Sequence, residues 1–445
     1  MKREYFGTDG VRGPFGGPVI NEEFAARLGE AAALWAVGRQ GPGGEVLIGR
    51  DTRASGPALE RALAAGLRAG GLRPISLGVT PTPAVARAVI ARGASLGVVV
   101  TASHNPAADN GIKFFATGGR KLADSEESAI EALLPPQAAG GAAEELPHME
   151  ANAGYVAALA ALLPAGSLVG WRIVVDAGHG ATARTTPEAL RIAGAEVAVI
   201  GGAPDGQNIN AGVGSEHPES LARAVVEHGA RLGVAHDGDG DRCVLCDETG
   251  SLLDGDEILT ILALDALARG ELAAGTLVVT VQSNLGVDAA IRAAGGRVER
   301  TDVGDRHVLE RLRETGARLG GESSGHIVNL ALSPTGDGLG AALGVLAVMR
   351  ATGRPLSALR AGLTKFPQGQ RSLKVAAKRP MAECAALSGE LVLLASEMGD
   401  TGRVMARFSG TETKLRLLAE AGTQALVDSA LERLTAAARS DLELL

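Results

Sequence analysis

Three aspartates alternate with glycines in "DGDGDR" (237–242), and Arg242 closes the stretch. Carboxylates as close as Asp237, Asp239 and Asp241 repel by about 4 kcal/mol per pair at about 4 Å and an effective dielectric near ~20, so something cationic should offset them. A hard divalent cation such as Mg2+ suits oxygen-only ligands, and glycines let the main chain wrap closely around it. The duller alternative is a solvated acidic turn. An EF-hand is rejected: its sixth loop position needs glycine and here holds Arg242. The following "RCVLCDETG" also reads as strand and turn, not as a loop entering a helix.

A second candidate is "VVVTASHNPAADNGIKFF" (98–115), where a valine-rich strand breaks into a loop carrying Ser103, His104 and Asn105, stopped by Pro106. Ser103 beside His104 suggests a nucleophile with its base, yet sequence neighbours point apart as often as together. Lys113 follows ten residues after Ser103. "GGESSGH" (320–326) contains the G-x-S-x-G of a nucleophile elbow, but the next residues, "HIVNLAL", read as a strand where that motif needs a helix. Glu322, Ser324 and His326 fit better as polar ligands of a hydroxylated substrate, with a plain loop as the alternative. "RFSGTETKLR" (407–416) packs Arg407, Ser409, Thr411, Lys414 and Arg416 around Gly410, a set suited to a phosphate dianion. "YFGTDGVRG" (5–13) adds Arg12 between glycines.

Other chemistry is weaker. Cys243 and Cys246 form a C-x-x-C with no second pair to complete a zinc site, and residues three apart on a strand face opposite ways. They read as small buried hydrophobes. His104, His179, His217 and His326 fall in loops without the spacing of a helical zinc site, so no zinc is expected.

The elements that must position these loops repeat along the chain. Short Val/Ile/Leu runs end in each polar loop, as in 45–53, 96–106, 172–182, 231–242 and 276–286, and Ala/Leu-rich helical stretches lie between them, such as 56–70, 218–230 and 255–270. Apolar strands alternating with helices indicate mainly parallel sheets, whose ligands sit at the carboxyl ends of strands. A Pro- and Gly-containing linker at 133–148, a new series from Asp254 and a change of order at 365–375 divide the chain. The expected units are α/β domains over 1–150, 151–253 and 254–366, and an α+β domain over 367–445.

The length of 445 residues requires several cores. A net charge of −8 and 2% aromatics argue against nucleic acid or an acidic membrane as partner, though a local arginine cluster can still hold a small anion. Three cysteines and a start without an apolar leader lead us to expect a cytoplasmic protein.

Five motifs in this order, "YFGTDGVRG", "TASHNPAADNGIKFF", "DGDGDR", "GESSGH" and "RFSGTETKLR", resemble the α-D-phosphohexomutase family over nearly the whole chain. The first two are most like the branch acting on amino sugars. The resemblance implies three α/β domains with mixed, mainly parallel sheets plus a C-terminal α+β domain around a central cleft. It implies that Ser103 is a phosphoserine whose phosphoryl oxygen joins Asp237, Asp239 and Asp241 on one Mg2+, with Arg242 alongside. Arg12 and Lys113 would sit near the reacting oxygens, with Lys113 or His326 as general base. Glu322, Ser324 and His326 would hold sugar hydroxyls, and Arg407, Ser409, Gly410, Thr411 and Arg416 the resting phosphate. The implied substrate is a phosphorylated amino sugar, glucosamine 6-phosphate, isomerised to the 1-phosphate for amino-sugar nucleotide and cell-wall precursor synthesis. A hexose 1,6-bisphosphate would be activator, and the chain monomer or homodimer. Two positions depart from the family pattern: Thr413 stands where proline is usual, and Ser323 where relatives often carry a larger side chain. A glucose- or mannose-phosphate mutase would share every motif; a Mg2+-dependent phosphatase and a non-catalytic sugar-phosphate sensor are readings of other classes.

Overall fold

The computed structural model describes residues 3–7, 9–138, 145–409 and 413–445. It separates into two compact units, Met1–Gln282 with Ala294–Gly362, and Ser283–Ala293 with Leu363–Leu445.

The larger unit contains three sheets built on one plan. The first uses β1 (Val11–Pro14), β2 (Glu45–Arg50), β3 (Arg73–Val79), β4 (Leu96–Val100) and β5 (Asp109–Ala116) in the order β1-β5-β4-β2-β3. The second uses β6 (Arg172–Asp176), β7 (Glu196–Ile200), β8 (Leu232–His236), β9 (Cys243–Asp247) and β10 (Leu252–Leu253) in the order β10-β9-β8-β6-β7. The third uses β11 (Thr276–Thr280), β12 (Arg297–Thr301), β13 (Leu319–Gly321) and β14 (Ile327–Asn329) in the order β12-β11-β13-β14. In each sheet three strands run parallel, and the last of them, β4, β8 or β13, then turns back into an antiparallel neighbour, β5, β9 or β14. The loops of Ser103, of the three aspartates and of Glu322–His326 are these three reversals.

Sequence explains the plan. β4 (LGVVV) and β8 (LGVAH) are buried at every position, as interior strands covered on both faces must be. Helices Glu22–Gln40 and Gly56–Ala69 cover one face of the first sheet with alanine and leucine. The series expected from Asp254 begins directly as a helix, Gly255–Ala268, with Asp254 capping Asp256 and Glu257 through their N–H groups and Glu257 reaching back to the Asp254 N–H.

The smaller unit carries an antiparallel sheet of β15 (Gln368–Lys374), β16 (Arg403–Phe408) and β17 (Lys414–Glu420), with β17 central. Helices Ala385–Met398 and Gln424–Asp441 share its core of leucines. Helix Leu285–Ala293 belongs here as well: the Asn284 side chain donates to the Phe366 carbonyl and accepts from its N–H, both at 2.9 Å. Among the described residues, no helix is long and apolar enough to cross a membrane.

Candidate active site

The Ser103 loop is held in a conformation that serine seldom adopts. Ser103 has φ 52°, in the left-handed region, which costs on the order of 1 kcal/mol without other contacts. Arg53, fully buried, supplies them. Its guanidinium donates to the carbonyls of Ser103 (3.0 Å), Asn105 (2.7 Å) and Asp109 (2.8 Å), and also to that of Pro106. Asp51 balances its charge at 2.9 Å and accepts from Thr101 at 2.6 Å, whose hydroxyl in turn accepts from the Ser103 N–H at 2.8 Å. From the second sheet's side, the Asn210 amide donates to the Ser103 and Asn105 carbonyls at 2.9 and 3.1 Å.

The Ser103 hydroxyl then points at the aspartates, donating to Asp237 Oδ2 at 2.5 Å. It also lies 3.4 Å from His104 Nδ1, a longer contact. Burial and the Arg242 charge press the His104 pKa down to about 4, so its ring is neutral near pH 7. Asp237, Asp239 and Asp241 are all buried, and one oxygen from each lies within 4.8 Å of the others. Thr82 tethers Asp239 through its hydroxyl (2.6 Å).

These residues fit a hard cation. Asp239 Oδ1 and Asp241 Oδ1 are buried without a hydrogen-bond partner among the described residues. Burial, then the charges of Asp241 and Asp239, push the Asp237 pKa well above the ordinary carboxylate range. An oxygen-only set with unspent lone pairs and excess negative charge is what a divalent cation of the Mg2+ type requires. It is the single such group among the described residues.

Cations already line this cluster. Lys113 Nζ lies 2.7 Å from Asp9, 2.9 Å from Asp239 and 3.4 Å from Asp241. Burial opposes its charge, but those three carboxylates outweigh it and raise its pKa. Asp9 also accepts from Arg12 at 2.5 Å and Lys121 at 2.7 Å, and Lys121 bridges to Asp305. His326 Nε2 faces Asp305 at 3.5 Å and Asp241 at 3.8 Å, while neither ring nitrogen has a hydrogen-bond partner among the described residues. The Arg242 N–H donates to Asp237 Oδ1 at 3.2 Å, and its side chain lies 3.5 Å from Glu216.

The third reversal loop is stitched to the second through the main chain. Arg242 and His326 form an isolated antiparallel bridge, and the Cys243 N–H donates to the Gly325 carbonyl at 3.0 Å. Glu322 accepts from the Gly304 N–H at 3.0 Å, and Ser324 is exposed at the turn. Ser323 contributes its carbonyl, accepting from Gly255 at 3.0 Å.

Arg12, Ser103, Lys113, Asp237, Asp239, Asp241, Arg242 and His326 are thus brought together in the larger unit, with Glu322 at the margin. Arg407 and Arg416 belong to the smaller unit, directly opposite each other on β16 and β17. Like charges so paired repel unless an anion or other partner intervenes. Ser409 is buried there, its N–H donating to the Lys414 carbonyl at 2.9 Å and its carbonyl accepting from Lys378 at 2.6 Å. Thr413 is exposed and accepts from the Val375 N–H at 3.1 Å. Gly410 and Thr411 lie outside the described residues.

Cys243, Cys246 and Cys384 are free, and Cys243 and Cys246 are buried on β9; burial, aided by Asp247, pushes the Cys246 thiol up to about 12. Sequence reading missed Asp9, Arg53, Lys121, Asn210 and Asp305. In sequence the loop containing Arg53 reads only as a polar strand end, and nothing local distinguishes its arginine.

Phosphoglucomutase/phosphomannomutase α/β/α domains I, II and III match residues 3–138, 153–250 and 254–366, and the C-terminal domain of that family matches 372–437. A phosphoglucosamine mutase from Symbiobacterium thermophilum is 45% identical over 98% of this chain and 99% of its own length. Another, from Rhodococcus jostii, is 47% identical over 94% and 95%. A phosphoglucomutase/phosphomannomutase family protein from Burkholderia thailandensis shares the fold, with TM-score 0.84 at 24% identity over 99% of this chain and 98% of that one. So does an Aspergillus fumigatus N-acetylphosphoglucosamine mutase solved with GlcNAc-6P and magnesium, with TM-score 0.69 at 19% identity over 99% and 96%. With four domains matched in order and near-complete coverage of such relatives, the chain belongs to the phosphoglucomutase/phosphomannomutase family, on the branch whose curated members are phosphoglucosamine mutases.

Proposed function

We propose that the chain interconverts glucosamine 6-phosphate and glucosamine 1-phosphate through a phosphorylated Ser103 and a 1,6-bisphosphate. The observation that carries this reading is the Ser103 hydroxyl, aimed at Asp237 from a left-handed turn that Arg53 and Asn210 hold by its carbonyls. A serine meant only for packing would not be fixed this way.

In the forward direction the Ser103 phosphoryl group passes to O1 of the sugar, breaking the serine O–P bond and forming the O1–P bond. The bisphosphate reverses end for end, and its 6-phosphoryl group returns to Ser103, releasing the 1-phosphate. His326, with unspent ring nitrogens and Asp305 beside it, accepts the proton of the attacking hydroxyl and gives it up again as the departing oxygen is protonated, so that each half-reaction ends with a free hydroxyl. Lys113, clamped as a cation between Asp9, Asp239 and Asp241, and the Arg242 and Arg12 guanidiniums stabilise charge on the transferring oxygens. Bound at Asp237, Asp239 and Asp241, Mg2+ supplies electrostatic stabilisation of phosphoryl oxygens. Glu322 and Ser324 bind sugar hydroxyls. Arg407, Ser409, Gly410, Thr411 and Arg416 bind the phosphate that is not reacting; donors without sugar-shaped contacts suit a loop that must accept either end of the bisphosphate.

The same reading divides the chain at 1–150, 151–253, 254–366 and 367–445. Its test is ³¹P NMR with Mg2+, a trace of hexose 1,6-bisphosphate and glucosamine, glucose or mannose 6-phosphate in parallel. Fastest growth of a 1-phosphate signal from the amino sugar is expected. Faster conversion of glucose or mannose would overturn the substrate, and inorganic phosphate alone would overturn the mutase reaction.

A further inference from the structure

A cleft of about 730 Å³ shares no lining residue with the Ser103 cluster. Helix Thr82–Arg92, helix Asn152–Ala160, Arg313 of helix Asp305–Thr315 and the turn Leu330–Pro334 line it. Its volume falls among those of small-molecule sites, roughly 300–1,000 Å³. Ala84, Ala88, Met149 and Leu332 give it an apolar floor.

Four arginines, Arg87, Arg92, Arg120 and Arg313, and one carboxylate, Glu150, line it in a chain of net charge −8. Arg92 and Arg120 are each already paired, with Glu45 and Glu126. Among the described residues Arg87 and Arg313 form no ion pair within 4.0 Å, though Asp337 and Glu310 are near enough to interact with their charges; Arg87 donates to the Leu332 carbonyl. Arg313 is exposed; partial burial and then the like charge of Arg120 lower its pKa, while Glu310 opposes them. Ser333, 2% exposed, also lines the cleft, and its hydroxyl has no hydrogen-bond partner among the described residues. Buried hydroxyls are seldom left so, because each unmade hydrogen bond is costly.

We propose that this cleft is a second ligand site, distinct from the sugar-phosphate site, for a nucleoside phosphate. Arg87 and Arg313 bind its phosphate, Ser333 donates to it, and the base covers the apolar floor. A bare inorganic anion leaves that floor open to water, and a neutral apolar ligand brings no anion to the two guanidiniums.

The test is titration calorimetry and thermal melting of the full chain with AMP, UMP, ADP, UDP and pyrophosphate, without Mg2+. At least one nucleotide is expected to bind and raise the melting temperature, with pyrophosphate at least about tenfold weaker. Arg313→Glu, an exposed substitution, should weaken that nucleotide at least about tenfold and leave sugar-phosphate turnover in its absence unchanged. Four outcomes overturn the proposal: no nucleotide binding at ~5 mM, binding indifferent to Arg313→Glu, pyrophosphate as tight as the nucleotide, or displacement by glucosamine 6-phosphate.

Discussion

Arg53 donates to the main-chain carbonyl of Ser103 at 3.0 Å, from fifty residues earlier in the chain and from complete burial. The hydroxyl that faces the aspartates therefore owes its direction to a buried side chain that holds the loop by its carbonyls. Arg53→Lys keeps the charge beside Asp51 but loses the planar fork that reaches four carbonyls. We expect kcat to fall by about tenfold to a hundredfold with KM for the sugar phosphate nearly unchanged, because positioning, not binding, is lost. A variant with lower melting temperature but unaltered kcat would reduce Arg53 to a structural role.

Ser103→Ala should abolish turnover. Among the described residues no other hydroxyl donates to Asp237 Oδ2, so none of them takes its place. Removing one oxygen leaves the Ser103 carbonyl, and with it the Arg53 and Asn210 contacts, intact. The melting temperature should therefore shift by only a few degrees, on the scale of about 1 kcal/mol. Incubation with hexose 1,6-bisphosphate followed by mass spectrometry should show one added phosphoryl group on wild type and none on the variant; residual activity above about one per cent would defeat the phosphoserine role.

The Asp237 carboxyl gives a cleaner probe of the metal than its neighbours. Burial and two adjacent carboxylates drive it toward its protonated form, so Asp237→Asn costs the metal-free protein little. Asp239, by contrast, holds Lys113 at 2.9 Å, and its loss would disturb that lysine as well. We expect Asp237→Asn to melt near wild type without metal, to lose the Mg2+-dependent rise in melting temperature, and to need at least about tenfold more Mg2+ for activity. Unchanged Mg2+ dependence would remove the aspartates from metal binding.

The legible part of this site was local. "DGDGDR" states its charge problem within six residues, Ser103 follows a valine-rich run that reads as a strand, and Glu322 and His326 stand in a polar loop before one. The three sheets place those loops at their equivalent reversals, but the loops share no residue pattern, so the repeated plan was invisible as a sequence repeat. Asp9, Lys121 and Asp305 were missed because their chemistry is relational: Lys121 joins Asp9, 112 residues away, to Asp305, 184 residues away. A lone lysine or aspartate in a loop reads as solvated until the fold brings its partner.

His326 can be tested without changing it. A Cβ on Gly336 would lie 2.3 Å from His326 Nε2 and 2.4 Å from Cε1, so Gly336→Ala must displace the ring. The backbone of Gly336 has no positive φ that alanine would strain. We expect kcat to fall at least about tenfold, equivalent to about 1.4 kcal/mol of lost transition-state stabilisation, with the fold preserved. His326→Ala should be no worse when combined with Gly336→Ala than alone; additive losses would mean that the two act separately.

His236 sets an acid limit on the fold. It is fully buried at the end of β8, placing Nδ1 2.9 Å from the Arg242 carbonyl and Nε2 3.0 Å from the Thr186 hydroxyl. The neutral ring satisfies both by donating to the carbonyl and accepting from the hydroxyl; a second ring proton would face Thr186 as donor to donor. Burial depresses its pKa to about 4, against about 6.5 in the unfolded chain. As pH falls below about 6.5 the unfolded chain takes a proton that the folded one refuses, so stability declines from there down to about 4. The full effect is on the order of 3 kcal/mol. NMR titration should show the imidazoles of His236 and His104 still neutral at about pH 5, and denaturant melts should lose stability across this window. An ordinary midpoint for His236 near 6.5 would show that water or a rearranged Thr186 relieves the ring, and would remove it as the source of acid sensitivity.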